Sequence, residues 1–437
     1  MDQLNINLDL TLVHAGLDED TSATPEPHKI ANRSIFLHIS TNRAGQYTVL
    51  AHGTEFQRDG SLSMEGAIHL SREDLAAATS ELLRGWSKDV IQHQPPGQEA
   101  FTFEGSPVVD FGEDRARTYL SKQGLALARH GNKLFKRIFC NGDDDLRRLG
   151  ERLEHALRNR PQTITVISDD FFVPWSMLYV CADPDTRISA ANASWDWSGF
   201  LGYTHLIEHV LPTAGRASTR QRIGSPQRRL RTGLQLDLRL INPEHPAGPL
   251  APVHAVIDEH TDYATRSCKQ DVADAFCDPA TAEEILLFGA HGTAERFDDQ
   301  GMIPAQVTLS DDDPICSSDL DFWREERKKP LPEPLCFMMV CEGGRTATHI
   351  HEGLGRPLFQ LGVGCLVGPQ LEVPMDFAGL YTHRFFQEAF TGARIAHIAR
   401  ELTREFLIKH ASPLGLIFTL LRGIDTHLAT PDQQKRP

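Results

Sequence analysis

A cysteine and a histidine that could act together in nucleophilic catalysis each follow a short apolar run. Residues 285–290, ILLFGA, precede His291, and residues 335–340, LCFMMV, precede Cys341. A thiol at its ordinary pKa is mostly protonated at neutral pH, so it becomes an effective nucleophile when a nearby imidazole accepts its proton. The pair therefore predicts covalent catalysis, with Cys341 as the nucleophile and His291 as the base.

Glycines beside both residues fit the same chemistry. Gly292 leaves its backbone N–H open to a substrate carbonyl oxygen, and with the N–H of Cys341 it could form an oxyanion hole. Gly343 and Gly344 allow the chain to turn sharply after the cysteine. The separation of 50 positions between His291 and Cys341 is weak evidence alone. It is stronger when combined with the two apolar runs and the glycines.

Other chemistries have less support in this sequence. Most cysteines in apolar strands are buried structural thiols, and Cys336 and Cys365 fit that description. His349 and His351 form an HxH pair that could chelate a metal, but no nearby cysteine or carboxylate has matching ligand spacing. We therefore expect no metal and no cofactor, and we assign both histidines to a loop after Cys341. The chain also lacks a GxSxG elbow, a Walker A loop and an HExxH motif.

The two reactive residues require a scaffold that brings two strand ends together. Their apolar runs, and a third at residues 364–368, are typical of strands covered by helices on both faces. Helical periodicity predicts two amphipathic helices between residues 377 and 406. Strands that alternate with helices predict an α/β fold with a mainly parallel sheet. Because sites form at the carboxyl ends of such strands, we expect His291 and Cys341 to end neighbouring parallel strands.

The N-terminal part of the chain has a different pattern. Residues 4–12 alternate between apolar and polar, as in a half-buried strand, and residues 34–40 and 46–53 predict two more strands. Ser71 begins a capping box ahead of a predicted helix. We interpret residues 1–110 as an N-terminal α+β module.

Two further segments follow this module. Residues 111–232 form a mainly helical pre-core region, with leucines on one helix face between residues 146 and 157. This region ends at residues 211–232, where six arginines stand among glycine, serine and proline. We interpret that stretch as a solvated linker. Residues 233–430 are the predicted core, and its first strand is indicated by the alternating Leu234, Leu236, Leu238 and Leu240.

Composition limits the partners that we expect. Among 437 residues, 59 are acidic and 44 are basic, giving a formal net charge of −15, which does not favour nucleic acid. The N-terminus lacks the pattern of a secretory signal, and no apolar run approaches the roughly 20 residues that span a bilayer. Eight cysteines without a CxxC pair are typical of free thiols in a reducing compartment. We expect a cytoplasmic protein with no membrane partner.

The two strand ends resemble the CHAT family of caspase-like cysteine peptidases, in the same clan as caspases, separases and gingipains. LLFGAHG at residues 286–292 resembles the family's strand ending in His-Gly. FMMVCEG at residues 337–343 resembles its strand ending in Ala-Cys-Glu-Thr-Gly, with Val340 replacing the alanine and Gly343 the threonine. Caspase signatures also place the histidine about 50 residues before the cysteine. GPQLEVPMD at residues 368–376 departs from the family's Trp-Pro-Val-Asp-like segment.

The resemblance extends upstream of these strands. GNKLF at residues 131–135 and the Pro174-Trp175 dipeptide resemble features that precede the family's catalytic core. The similarity covers roughly residues 115–430 and is strongest from 284 to 400.

The resemblance implies a caspase-like fold and a cysteine endopeptidase that cleaves protein substrates through Cys341 and His291. It also implies a regulated bacterial enzyme of signalling, antiphage defence or cell death. A catalytically silent caspase-like scaffold that binds a protein partner is the alternative. A third residue that orients His291 is not required, and the sequence does not identify one.

Specificity and regulation are predicted from loops. Glu372 and Asp376 are candidate pocket residues that could select a basic P1 residue, although solvent-exposed loop acids would look the same. The polar, glycine-containing loop at residues 342–355 is a candidate gate. We expect a regulatory protein partner that contacts the module at residues 1–110.

Overall fold

The structure is a computed structural model that describes most of the chain from Arg33 onward. The described residues are 33–42, 45–57, 62–94, 113–181, 188, 195–212, 221–240, 250–293, 296–298, 301–303, 305–341, 348–371 and 373–430. Within them, only the backbone is described at 113–117, 119–120, 293, 296–298, 301–303, 340–341 and 348–352. The strand predicted at residues 4–12 lies outside the described residues.

Strands and helices alternate along most of the described chain. The strands are β1 (Ile35–Thr41), β2 (Tyr47–His52), β3 (Ser63–Ile68), β4 (Thr163–Ile167), β5 (Leu206–Val210), β6 (Arg222–Ile223), β7 (Leu230–Leu236), β8 (Thr261–Arg266), β9 (Ile285–Thr293), β10 (Arg296–Asp298), β11 (Gly301–Ile303), β12 (Gln306–Thr308), β13 (Pro314–Cys316), β14 (Leu335–Cys341), β15 (Cys365–Pro369), β16 (Phe418–Leu421) and β17 (His427–Leu428). The α-helices are α1 (Arg72–Trp86), α2 (Glu113–Phe139), α3 (Asp144–Asn159), α4 (Leu201–Thr204), α5 (Ala251–His260), α6 (Lys269–Cys277), α7 (Ser317–Arg327), α8 (Thr348–Leu361), α9 (Met375–Ala389) and α10 (Ile395–His410).

Within the described ranges, thirteen strands form one sheet. Its order is β13-β12-β9-β14-β15-β16-β5-β4-β1-β2-β3, and β7 pairs with both β9 and β8. Seven strand pairs are parallel: β1–β4, β4–β5, β5–β16, β7–β8, β7–β9, β9–β14 and β14–β15. The five antiparallel pairs are β1–β2, β2–β3, β15–β16, β9–β12 and β12–β13. The predicted mainly parallel sheet is confirmed.

Helices cover both faces of the central strands. Leu287 and Phe337 belong to one buried apolar cluster, which includes residues of α5, α9 and α10. Leu286 and Met338, one position away along the same strands, belong to a second cluster with residues of α6, α7 and α8. Since successive side chains of a strand point to opposite faces, each face has its own core. The uninterrupted apolar runs in the sequence arise from this double coverage, and the predicted α/β class is confirmed.

The sheet consists of two halves that run in opposite directions. The antiparallel pair β15–β16 joins a parallel group of β8, β7, β9, β14 and β15 to a second parallel group of β16, β5, β4 and β1. The carboxyl ends of β7, β9 and β14 therefore lie together at one edge of the sheet. His291 and Cys341 are located at this edge.

The described part of the N-terminal module belongs to the same sheet. β1 pairs in parallel with β4 over Ile35 to His38, and β2 and β3 continue outward from it. As predicted, Ser71 caps α1, because its side chain accepts a hydrogen bond from the backbone N–H of Asp74 at 3.0 Å. The division at residues 110 and 232 stays a prediction.

The strand predicted from alternating leucines ends earlier than expected. β7 stops at Leu236, and residues Leu238–Leu240 form one turn of 3₁₀-helix. Leu238 is 45% exposed, which is unlike a core strand residue. The N–H of Asp237 still donates a hydrogen bond to the Gly289 carbonyl of β9, at 2.8 Å. After Asp237 the backbone turns into the 3₁₀-helix and no longer follows β9.

The arginine-rich stretch at residues 211–232 is only in part the predicted linker. Residues 213–220 lie outside the described part, but Leu230 already starts a central strand. Arg228 forms an ion pair with Glu284, whose side chain is 6% exposed, and Arg231 lies 3.9 Å from the same carboxylate. These arginines connect the start of β7 to the start of β9, while their own side chains stay 44% and 45% exposed.

His349 and His351 do not lie in a loop. The backbone is helical from Thr348 to Leu361 in α8, so both histidines belong to the first turn and a half of that helix. Of the predicted gate at residues 342–355, residues 342–347 lie outside the described part and the rest is helix.

Candidate active site

The two predicted reactive residues occupy matching positions on neighbouring strands. β9 and β14 are parallel, and their register pairs Leu335 with Ile285 and continues without a break to Cys341 with His291. Neighbouring strands in a sheet lie about 4.8 Å apart. The expected adjacency of the two strand ends is confirmed at the level of the backbone.

His291 is half exposed, and Asp237 is its acidic neighbour among the described residues. Its side chain is 50% exposed, and its Nε2 atom lies 3.5 Å from Oδ2 of Asp237, whose side chain is fully buried. With Nε2 facing a carboxylate, the favoured neutral tautomer carries its proton on Nε2, which leaves Nδ1 as a proton acceptor. This is the ring state that a general base needs.

Asp237 is the residue that the sequence did not identify. Its carboxylate accepts hydrogen bonds from Nε of Arg239 at 2.9 and 3.1 Å and from Nη2 at 2.8 Å. Burial alone would raise the pKa of the Asp237 carboxyl, but the hydrogen bonds and charge of Arg239, with the charge of His291, outweigh burial and hold that pKa below its usual value. Asp237 is therefore ionised at neutral pH. The sequence signal was an Asp-x-Arg directly after a leucine-rich strand, which the apparent alternation to Leu240 concealed.

Strand β12 occupies the other side of His291. It pairs antiparallel with β9, with Thr308 opposite His291 and Val307 opposite Gly292. Gly292 is buried at this position. Its predicted part in an oxyanion hole, with the N–H of Cys341, stays a prediction.

The two cysteines assigned to the core are core residues. Cys336 and Cys365 are fully buried, and burial raises the pKa of both thiols. Such thiols are poor nucleophiles because the thiolate is disfavoured. Cys336 lies on the same strand as Cys341, so it is a natural comparison.

The acidic pocket residues are only partly located. Asp376 stands in the first turn of α9, partly buried, whereas Glu372 lies outside the described residues. The described part of the chain contains no group of three His, Cys, Asp or Glu side chains arranged to hold a metal. No helix within the described ranges is both long and apolar enough to cross a membrane.

No family model and no curated protein matches the chain. Among solved structures, the chain is similar to two crystal structures of the separase–securin complex of Saccharomyces cerevisiae, determined at 3.0 and 2.6 Å resolution. The TM-scores are 0.43 and 0.45 and the identities 10% and 8%, and each match covers 91% of this chain. The chain spans 30% of the length of each matched chain. With TM-scores below 0.5, these likenesses do not assign the chain to a family.

Proposed function

We propose that the protein is a cysteine endopeptidase with Cys341 as its nucleophile and His291 as its general base. The observation that supports this most strongly is the shared register position of the two residues at the carboxyl ends of adjacent parallel strands. A second is the buried, ionised Asp237 beside Nε2 of His291. Together they resemble the general arrangement of nucleophile, base and orienting group.

The proposed reaction follows from these roles. Nδ1 of His291 accepts the thiol proton, and the sulfur of Cys341 attacks the carbonyl carbon of the scissile peptide bond. The N–H groups of Gly292 and Cys341 stabilise the oxyanion. The C–N bond then breaks, the leaving amine takes the proton from the imidazolium, and a thioester remains. His291 next removes a proton from water, whose oxygen attacks the thioester carbonyl carbon. The C–S bond breaks, the carboxylic acid product leaves, and the Cys341 thiolate takes the proton back from the imidazolium.

Substrate choice and control are part of the same proposal. Glu372 and Asp376 are the candidate residues for a basic P1 side chain. The sequence resemblance to CHAT peptidases suggests a regulated bacterial enzyme of signalling, defence or cell death, with a regulatory protein partner. Because β1–β3 complete the sheet, removing residues 1–110 would expose β4 and is a poor test of regulation. Assaying the intact chain with and without co-encoded proteins is the better one.

The test compares two cysteines of one strand. Cys341→Ala should abolish peptide cleavage and leave the fold intact, because the change in side-chain volume is small. Cys336→Ala, the matched control, should keep most activity. Mapping new N-termini in a proteome treated with each protein measures cleavage, and mass spectrometry after brief iodoacetamide treatment shows which cysteine reacts.

Two outcomes would contradict the proposal. Undiminished cleavage by a folded Cys341→Ala protein would exclude Cys341 as the nucleophile. A wild-type chain with no cleavage and with Cys341 no more reactive than Cys336 would favour the silent scaffold.

A further inference from the structure

Arg239 connects Asp237 to a neighbouring hairpin turn. One side of its guanidinium binds both carboxylate oxygens of Asp237. The other side binds Oδ1 of Asp312 at 2.6 Å, and Nη2 also donates to the Leu309 carbonyl at 2.9 Å. Arg239 is 48% exposed, so this bridge lies at the protein surface beside the half-exposed His291.

The hairpin turn that holds Arg239 is itself fixed. Ser310 accepts a hydrogen bond at Oγ from the N–H of Leu238 at 2.8 Å, and its own N–H donates to the Ser267 carbonyl at 3.0 Å. Lys269 donates its backbone N–H to Asp311 at 2.8 Å. The turn joins β12 to β13, and β12 pairs with β9 at His291. The base and its acidic neighbour are thus held by one connected set of contacts.

The distances show how the Asp237 carboxylate is shared. Its Oδ2 atom is 2.8 Å from Arg239 but 3.5 Å from Nε2 of His291. A buried carboxylate without a close countercharge is costly and tends to take up a proton. His291 is half exposed and neutral when it acts as a base, so it is not a permanent countercharge. Arg239 is a permanent countercharge, because a guanidinium stays protonated.

We infer that Arg239 is a positioning residue for the proposed reaction: it keeps the Asp237 carboxylate charged and directed at Nε2 of His291. This inference rests on the proposed function. Arg239 acts through Asp237 and contacts neither the nucleophile nor the base in the described contacts. Its loss should therefore change how activity depends on pH, which a purely structural arginine would not do.

The charged groups around Asp237 are known for the described residues. They are Arg239 on the segment of Asp237 itself and His291 on β9. Asp312 on the hairpin turn binds the other side of the Arg239 guanidinium. Without Arg239, burial is no longer opposed by a permanent positive charge. Asp237 would then take up a proton at a higher pH.

The experiment measures peptide turnover against pH in wild type, Arg239→Gln, Arg239→Lys and Arg229→Gln. Arg229 is a matched control: it is also 48% exposed and lies 3.1 Å from an aspartate, Asp262, away from the site. Rates are divided by the concentration of folded protein, measured by near-UV circular dichroism, so that unfolded protein is not counted. For Arg239→Gln we expect kcat to fall about 10-fold with KM nearly unchanged. We also expect the acid limb of the pH–rate profile, where activity is lost as the pH falls, to move up by about one pH unit.

The controls separate the possible failures. Arg239→Lys should return the acid limb close to its wild-type position, because it restores the charge, and Arg229→Gln should match wild type. If folded Arg239→Gln has the wild-type kcat and the wild-type fall of activity at acid pH, the inference is wrong while the proposed peptidase stands. If the wild-type chain has no cleavage that depends on Cys341, the proposed function is wrong and this inference fails with it.

Discussion

At the scale of single residues, position in the sheet distinguishes Cys341 from Cys336 and Cys365. Cys336 and Cys365 lie inside the sheet, where burial raises the pKa of their thiols. Cys341 instead ends its strand at the register position of His291. The same edge supplies Asp237, a fully buried carboxylate that burial would neutralise but Arg239 keeps ionised. In the proposed peptidase, this carboxylate would orient the imidazole of His291.

Asp237→Asn tests this orientation. The amide has nearly the same shape, but it has no charge to stabilise an imidazolium and its NH₂ group can face the donors of Arg239. We expect kcat to fall about 10- to 100-fold with a small change in KM, since general-base catalysis contributes about 10²- to 10⁴-fold. Steady-state kinetics on a cleaved peptide measures both constants.

Asp262→Asn is the control, because Asp262 is 70% exposed and pairs with Arg229 away from the site. Equal kcat values for the Asp237 variant and wild type would mean that another group orients His291.

At the scale of elements, the position of Asp237 results from how three strands share the edge of β9. β14 covers one side of β9 from Ile285 to His291. On the other side β7 pairs with β9 as far as Gly289, and β12 takes over from His291. The segment that follows β7 leaves the sheet between the last residue of β9 paired with β7 and the first residue paired with β12. Asp237 lies at this point.

Gly131→Ala tests the close approach of α2 to the segment after Pro174-Trp175. A Cβ atom at Gly131 would lie 2.4 Å from the Met177 carbonyl oxygen and 2.9 Å from the Tyr179 nitrogen. The neighbouring Asn132 donates to the Tyr179 carbonyl at 3.1 Å, so the two segments cannot easily separate. We expect the free energy of unfolding to fall by about 1–3 kcal/mol in urea titrations.

Gly355→Ala, also in a helix, is the matched control, because its added Cβ would meet Leu421 at an ordinary 3.4 Å. Its stability should stay within about 1 kcal/mol of wild type. Equal effects of the two substitutions would refute the packing argument.

At the scale of the whole molecule, two parallel groups of opposite direction are joined through β15 and β16. The second group contains buried neutral histidines. His205 accepts a hydrogen bond at Nδ1 from the Gln162 N–H at 3.0 Å, and Nε2 of His209 lies 2.9 Å from the Ser168 carbonyl. Burial lowers the pKa of His205 to about 3 and that of His209 to about 4. Protonating either imidazole therefore favours unfolding.

The sign of the pH dependence follows from these lowered pKa values. Above about pH 6.5 both states bind no proton at these rings, and the full stability is present. As the pH falls from 6.5 towards 4, the unfolded chain binds protons that the folded chain does not, so stability is lost. His209→Gln should reduce this loss by on the order of 3 kcal/mol. Urea unfolding at several pH values measures it.

His155→Gln, an exposed position on α3, is the control and should leave the slope unchanged. Parallel stability curves for His209→Gln and wild type would show that this ring does not drive acid unfolding.

The local features of this protein could be predicted from the order of its residues. The apolar runs before His291 and Cys341 are strands, Ser71 is a helix cap, and the helices after residue 375 lie where their periodicity predicts. These features are set by neighbours in the chain: hydrogen bonds within a few residues, and burial that repeats every two or 3.6 positions. The apolar runs and glycines around Cys341 and His291 also predicted that the two residues end neighbouring strands, and they do.

The contacts between distant segments could not be predicted in this way. The tertiary structure ended β7 at Leu236, placed Asp237 beside His291 and paired Arg228 with Glu284. It also added β8, a mostly exposed polar strand that no alternation predicted, and joined β1–β3 to the central sheet. The physical reason is that strand order and the sharing of a strand edge depend on contacts between residues far apart in the chain. A periodic pattern records that a residue is buried, but not which residue lies against it.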